Sequence, residues 1–519
     1  MAIAWYIAGI GLAMTVAAAD PGAEAADSRR YLILGTVTLS TLLFAMTTTN
    51  SYVVLPQMQG SLSATQDQIA WSVTFNLMAT AVMTPMSGWL ANRFGRRATM
   101  LYCVTGFSIA SVLSGTATTL ESLIAFRIAQ GVLGAPIVPL SQAIILNTFP
   151  RSQHGLATAI WGLGVVCGPV IGPTIGGFVA EEYTWRWVFF MTAPVCMLAV
   201  FLVYIFITDR RRNLGTRLDW TGFLALSVAI AAFQLIMDRG DRLYWFDSPE
   251  IILEASVAAF GLYVFVVHTL TTDQPFLPPQ LLLDRNFALG LCFAFAFGAL
   301  SFVPMILIPP LLQDLRSVPD SVVGIVLASR GVGSIIGNFV VVAMGRIDPR
   351  IGLSIGFGSQ ALSGLLMAQY DLDVTIWNAM WTSAFQGFGN SFLWVPLTVL
   401  TFATLQPRQM GEATAVFHLI RNLGSAIFIS ICVGAVVHYS GVNYAVISEH
   451  VSPFNEAFQY PGIAGAWSIE GLGNLSRIGD EVERQAAMIG YTNAFYLFSA
   501  VAAAVIPFIF LLKRPAQAD

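Results

Sequence analysis

The chain has 519 residues, 56% of them hydrophobic and only 10% charged, with a mean hydropathy of +0.71. Soluble domains carry about 25% charged residues, so most of this surface is not built for water and a soluble enzyme is excluded. The net charge of −4 argues against a nucleic-acid partner, and five scattered cysteines and five scattered histidines suggest no disulfide framework, no metal site and no cofactor.

A helix needs roughly 20 mostly apolar residues to cross a bilayer. That ruler predicts spans near 31–55, 68–91, 99–117, 120–146, 156–180, 187–208 and 219–238, then 251–271, 286–312, 320–344, 349–369, 375–402, 410–438 and 491–513. The fold class is therefore an all-α membrane protein with fourteen transmembrane helices. The apolar stretch before them lacks the basic start of a secretory signal, so residues 1–28 read as an N-terminal extension. If the first span starts in the cytoplasm, sixteen Arg and Lys fall on the cytoplasmic side, among them Arg29, Arg30, Arg93, Arg96, Arg97, Arg151, Arg210, Arg211, Arg212, Arg217, Arg285, Arg346, Arg350, Arg408, Lys513 and Arg514. Six fall outside, Arg186, Arg239, Arg242, Arg316, Arg477 and Arg484. That bias predicts a multi-pass protein of the bacterial inner membrane with both termini cytoplasmic.

At an offset of 256 residues the chain matches itself. Gly155 to Ala159 falls on Gly411 to Ala415, Gln130-Gly131 on Gln386-Gly387, Gln57 on Gln313 and Asn92 on Asp348. Ordered coincidences at one offset indicate two duplicated six-helix halves. The expected division is an N-terminal bundle over 29–208, a linker and inserted two-helix hairpin over 209–285, and a C-terminal bundle over 286–519 with a long outer loop at 439–490.

Ionisable groups within spans are costly and mark function by default. Arg127, Arg330 and Arg421 stand inside predicted spans; Glu121, Glu412 and Asp238 are the acids placed to pair with them, and Arg127 ranks first because its repeat counterpart is Ser383. These six are the expected proton-coupling residues, with His418 as a further titratable group. A solute cavity near the midplane is expected to draw on the polar run containing Thr47, Thr48 and Asn50, with Gln142, Gln360, Gln386, Asn390 and Trp394 from other spans. No nucleophile, Walker loop or other catalytic constellation stands out; Gly352-Leu-Ser354-Ile-Gly356 spells GxSxG inside a predicted membrane helix, where the strand-to-helix elbow is missing.

Three further stretches carry a pattern. Gly88-Trp-Leu-Ala-Asn92-Arg93-Phe-Gly95-Arg96-Arg97 forms a tight basic loop after the second span. Arg127-Ile-Ala-Gln130-Gly131 lies in the fourth. Gly164, Gly168, Pro169, Gly172, Pro173 and Gly177 repeat small residues along the fifth, which lets helices approach closely. With the duplicated halves and central hairpin, the chain resembles the fourteen-span drug:proton antiporters of the major facilitator superfamily, the EmrB/QacA type, over about residues 30–513. The resemblance implies a secondary efflux transporter that exports amphipathic or lipophilic drugs by alternating access, in exchange for protons. Alternatives are an exporter or uniporter of one endogenous metabolite (a siderophore, lipid or peptide) and a non-transporting receptor of the same fold. It also implies membrane lipid, solute and protons as partners, with a periplasmic membrane-fusion adaptor and an outer-membrane channel. Two positions depart from the family: Asn92 stands where Asp is usual, and Thr47 where the first span typically carries an acid.

Overall fold

The computed structural model describes residues 21–512 apart from 65, 209–217, 241–242, 274, 345–347, 407–408, 453, 456–466 and 468–471. Most of the 1–28 extension, the linker arginines Arg210, Arg211, Arg212 and Arg217, and Arg242, Arg346, Arg408, Lys513 and Arg514 lie outside the described residues, as do the side chains of Asp238 and Pro173. The described residues contain helices and no strand. Hydrocarbon offers the backbone no hydrogen-bond partners, so each crossing segment must satisfy its own N–H and C=O groups.

The chain opens with α1 (Pro21–Val53), a short helix Leu55–Ser61, then α2 (Gln66–Met83) and α3 (Ser87–Phe94). It continues with α4 (Arg96–Thr116), α5 (Leu120–Gly134), α6 (Ile137–Thr148), α7 (His154–Glu182), α8 (Trp185–Phe190) and α9 (Thr192–Phe206). The hairpin is α10 (Trp220–Arg239) and α11 (Pro249–Thr271). Then come α12 (Arg285–Arg316), α13 (Asp320–Ala343), α14 (Pro349–Met367), α15 (Ile376–Phe402), α16 (Met410–Ser448) and α17 (Leu472–Val505). Eleven stretches of helix among the described residues are long and apolar enough to cross a bilayer. The other three expected spans, at α2 with α3, at α14 and at α15, are helical but more polar than those eleven.

Two groups of helices pack among themselves. In the first, α1 lies along α7, α2 along α5, and α4 against α5 and α9. In the second, α12 and α17 flank α16, while α15 packs against α13 and α14. The groups meet where α7 touches α13 and α15, and where α3 and α6 touch α16. Glycine sets these distances. A Cβ on Gly298 of α12 would collide with the Arg421 carbonyl of α16, and one on Gly387 of α15 with the Arg330 carbonyl of α13.

The hairpin packs through Phe223, Leu226 and Ile230 onto a small cluster that includes Met86 and Leu419. Its outer helix α11 buries only Ile251 and Gly261 among the described residues and turns Phe260, Tyr263 and Leu270 outward, as a lipid-facing helix should. Asp219 caps α10: its carboxylate accepts from the N–H of Gly222 (2.9 Å) and of Phe276 (3.1 Å) and meets His268 Nε2 (2.8 Å) on α11.

One boundary differs from expectation. The connection expected to be irregular over 439–490 is helical at both ends, since α16 runs on to Ser448 and α17 begins at Leu472. The added turns of α17 have a job: Arg484 donates to the Leu315 carbonyl (3.1 Å), capping the end of α12, while Glu481 holds Arg484 (2.8 Å).

Candidate functional site: a cavity between the two halves

A cavity lies between the helix groups. The first group supplies Gly162, Val165 and Pro169 of α7; the second supplies Phe297, Ser301, Phe302 and Met305 of α12, Leu327, Arg330 and Asn338 of α13, Asn390, Ser391 and Trp394 of α15, and Arg421 of α16. Arg421 lies eleven residues into α16 and Arg330 ten into α13. At 1.5 Å per residue that is about 15–17 Å from the helix ends, near the middle of a hydrocarbon core roughly 30 Å thick.

Each guanidinium is held from behind. Arg330 donates through Nε to Gln386 Oε1 (2.6 Å), through Nη2 to the Ser301 carbonyl, and reaches Met305 Sδ at 3.7 Å. Gln386 is fixed in turn by Gln360, the amides exchanging bonds of 2.9 and 3.1 Å with side chain and backbone. Arg421 donates through Nη2 to Asn422 Oδ1 (3.0 Å) and lies 5.6 Å from the Trp394 ring centre, a cation–π contact. Its Nε is buried and has no hydrogen-bond partner.

Of the residues expected at a solute cavity, Asn390 and Trp394 line this one, and so do Arg330 and Arg421. Gln360 and Gln386 stand behind its wall as supports for Arg330. Thr47 and Thr48 do not line it; their hydroxyls donate to the carbonyls of Leu43 (2.8 Å) and Phe44 (2.9 Å), the usual i−4 bond of a threonine inside a helix. Asn50 turns onto α7, where Gly172 and Gly176 leave room for its amide. Gln142 bridges the halves instead, with Oε1 2.7 Å from His418 Nε2.

Arg127 is almost fully buried, away from this cavity and inside the first helix group. It donates to the Ser72 carbonyl (3.3 Å) and to Gln130, its own carbonyl accepts from Asn76 Nδ2 (2.7 Å), and the Phe189 ring centre lies 5.9 Å away. Glu121 is exposed in the first turn of the same helix, six residues and about 9 Å earlier. The repeat is visible here. Gln130 and Gln386, equivalent at the 256-residue offset, each accept from a buried arginine, but Arg127 comes from the same helix and Arg330 from its neighbour.

Contacts across the halves gather at the end that carries the arginine-rich loops. Asn92 Nδ2 donates to Glu412 Oε1 (3.2 Å), and Arg151 Nη2 to the Leu405 carbonyl (3.2 Å). A Cβ on Gly88 would stand 3.0 Å from the Glu412 backbone, so only glycine lets α3 come so close to α16. Gly95, at φ 90°, makes the left-handed turn from α3 to α4 and carries Arg93 and Arg96 on either side. Trp161 lies tilted against Trp394 (5.7 Å between ring centres) and edge-on to His418 (6.4 Å), an aromatic cluster beside the cavity that Trp394 lines. Along α7, Gly164 fits against Thr38, Gly168 against Ala45 and Gly172 against Thr49, with Gly177 half-buried beyond; Gly131 fits against Asn76 and Ala79. Pro169 is the motif residue that reaches the cavity.

Trp161, Val165 and Met305 were not singled out in the sequence. Val165 had a signal, because it is the 256-residue counterpart of Arg421 and both line the cavity.

The comparisons agree with this architecture. The sequence profile of the Major Facilitator Superfamily matches residues 37–428. The chain is 29% identical over 500 residues to the multidrug export protein EmrB of Escherichia coli K12, covering 93% of this chain and 96% of that protein. It is 29% identical over 483 residues to the fatty acid resistance protein FarB of Neisseria gonorrhoeae, covering 92% and 95%. The proton:xylose symporter XylE bound to 6-bromo-6-deoxy-D-glucose has the same fold, with a TM-score of 0.60 at 13% identity over 93% of this chain and 96% of that one. With the profile matched over most of its length, the chain belongs to the Major Facilitator Superfamily, and its work is transport rather than enzymatic catalysis.

Proposed function

We propose that this chain is a secondary active exporter of amphipathic and lipophilic compounds, exchanging them for protons by alternating access. Its main support is the mid-bilayer cavity walled by both helix groups. The cargo class draws on the largely apolar wall, and on relatives named for multidrug export and for fatty acid resistance. The moving bodies are residues 29–208 and 286–519, with 209–285 as the inserted hairpin. The chain sits in the bacterial inner membrane with both termini cytoplasmic, which makes the arginine-rich seam the cytoplasmic gate, closed in this structure. A periplasmic membrane-fusion adaptor and an outer-membrane channel complete the export route.

Proton linkage is assigned to Glu412. Its hydrogen-bond donor, Asn92, belongs to the opposite half, so the surroundings of this carboxylate change whenever the gate opens. Protonation removes the charge that strengthens the Asn92 bond and so favours the gate-open state. Arg127 holds α2 against α5 within the first half and keeps that half rigid as it rocks.

The experiment is transport of amphipathic dyes into proteoliposomes with an imposed pH gradient. Antiport gives gradient-dependent accumulation, and Glu412→Gln abolishes it while leaving exchange of dye for dye. Equal uptake with and without the gradient would establish a uniporter; no dye movement under either condition would remove the transport assignment.

A further inference from the structure

The cavity contains two cations and no carboxylate. Arg330 and Arg421 both line it, and no Asp or Glu does. Among the described residues neither arginine makes an ion pair: their partners are amide oxygens, a carbonyl, a thioether and an indole face, all neutral. A charge near the bilayer midplane is costly unless compensated, and two of the same sign in one cavity repel each other as well.

The uncompensated charge also points somewhere. Arg421 Nε and Trp394 Nε1 are buried donors without an acceptor, and both residues form the same wall. The unpaired acceptor beside them is Asn338 Oδ1, on an amide that presents oxygen or nitrogen according to its rotation. Helix contacts hold the two arginines in place, because Gly298 seats the Arg421 backbone and Gly387 the Arg330 backbone. The opposite wall is neutral. At the repeat position of Arg421 stands Val165, and at that of Arg330 stands Thr74, so duplication alone does not demand cations here.

From this we infer that the solute is an amphipathic anion: a single carboxylate or sulfonate head bound by Arg421 and Arg330, with its apolar body against Phe297, Phe302, Met305 and Val165. The inference rests on the transport reading for the word solute, but the site itself stands on the cavity. Ionised acceptors make shorter and stronger bonds to guanidinium than neutral ones do, and two oxygens of such a head match the guanidinium fork. A cationic amphipath of the same size is rejected by the same pair of charges.

The test compares ligands that share a naphthyl body and differ only in the head: naphthaleneacetate, its amide, and naphthylmethyl-trimethylammonium. Binding is measured by equilibrium dialysis to the full chain in phosphatidylcholine nanodiscs, with empty nanodiscs subtracted. We expect the carboxylate to bind at least about tenfold more tightly than the amide, as expected for one charged hydrogen bond, and the cation to bind no better than empty discs. Arg421→Gln should remove most of that preference of carboxylate over amide, and Arg421→Lys should restore part of it. If a variant fails to assemble, the wild-type ranking of heads decides alone. Equal binding of amide and carboxylate, or tighter binding of the cation, overturns the inference. Discs containing phosphatidylglycerol separate two sources of the anion: competition names a lipid head as occupant, and its absence names a free amphipathic acid. Because no gradient is involved, selective binding without transport would overturn only the exporter assignment, whereas dye transport with unselective binding would overturn only this one.

Discussion

Asn92 and Glu412 meet at 3.2 Å across the two halves, and the chemistry of that pair depends on one of them being neutral. Asn92→Asp sets two carboxylates face to face, so one must take up a proton or the gate must open. The expected outcome is a shift of the population toward the gate-open state, read as faster labelling of a cysteine placed in the seam, and reversed in acid once one of the carboxylates protonates. Unchanged labelling would show that the pair does not hold the gate. Arg127 makes a contrasting case. Arg127→Ala removes the donor to Ser72 and Gln130 and leaves a void between α2 and α5, costing on the order of 2–4 kcal/mol. That appears as a lowered melting temperature of the detergent-solubilised protein; normal stability with lost pH response would assign Arg127 to coupling instead. The sequence singled out all three buried arginines because charge within a span is conspicuous. It did not reveal which would line the cavity, since that depends on helix rotation: Arg127 turns onto α2, while Arg330 and Arg421 turn onto the seam.

Helices are placed here by what their neighbours lack. Gly298 is where α12 crosses α16, and a methyl group there would strike the Arg421 carbonyl. Gly298→Ala is therefore expected to destabilise by about 1–3 kcal/mol through overpacking. Gly155→Ala, in α7 with open space around its Cβ position, should change stability by less than about 0.5 kcal/mol. A thermal-unfolding comparison of the two variants checks whether the crossing, rather than helix propensity, is at work. The hairpin offers a pH-dependent counterpart. Burial alone would raise the Asp219 carboxyl, but the bonds from Gly222, His268 and Phe276 outweigh it and hold it below the usual carboxylate range. A carboxyl whose folded value is depressed stabilises above its unfolded value near 3.9 and loses that contribution as pH falls through the lower folded value. Asp219→Asn should loosen the α10–α11 junction by roughly 1 kcal/mol at pH 7, seen as faster amide exchange at the start of α10, with the difference from wild type vanishing in strong acid. The helical stretches were legible from hydropathy because bilayer thickness fixes their length. Their ends were not, and α16 and α17 extend where the sequence turns polar because polar residues can continue a helix once it has left the lipid.

At the scale of the whole molecule, the two halves contribute unequally to the cavity, and both of its cations come from the second. Gln130 and Gln386 keep equivalent roles, while Val165 and Arg421, equivalent at the repeat offset, line the same cavity with opposite chemistry. Internal repetition exposed the first relation in the sequence; the second became visible only once α7, α13 and α16 were assembled, because no local pattern says which residues share a wall. Alternating access requires that the seam near Glu412 separate once per cycle, and this can be tested without knowing the cargo. Replacing Asn92 and Glu412 by cysteine, in a background with the exposed Cys292 changed to Ser, puts two thiols where the side chains now touch. A short bifunctional thiol reagent should then join them and hold the seam shut. Exchange of dye for dye, which does not need the Glu412 carboxylate, is expected to fall to background on cross-linking with a disulfide-forming reagent and to return on reductive cleavage, while each single-cysteine variant keeps its own level throughout. Transport that persists through complete cross-linking would mean the halves need not part at this seam, and the rocking mechanism would have to be replaced by a path through one bundle.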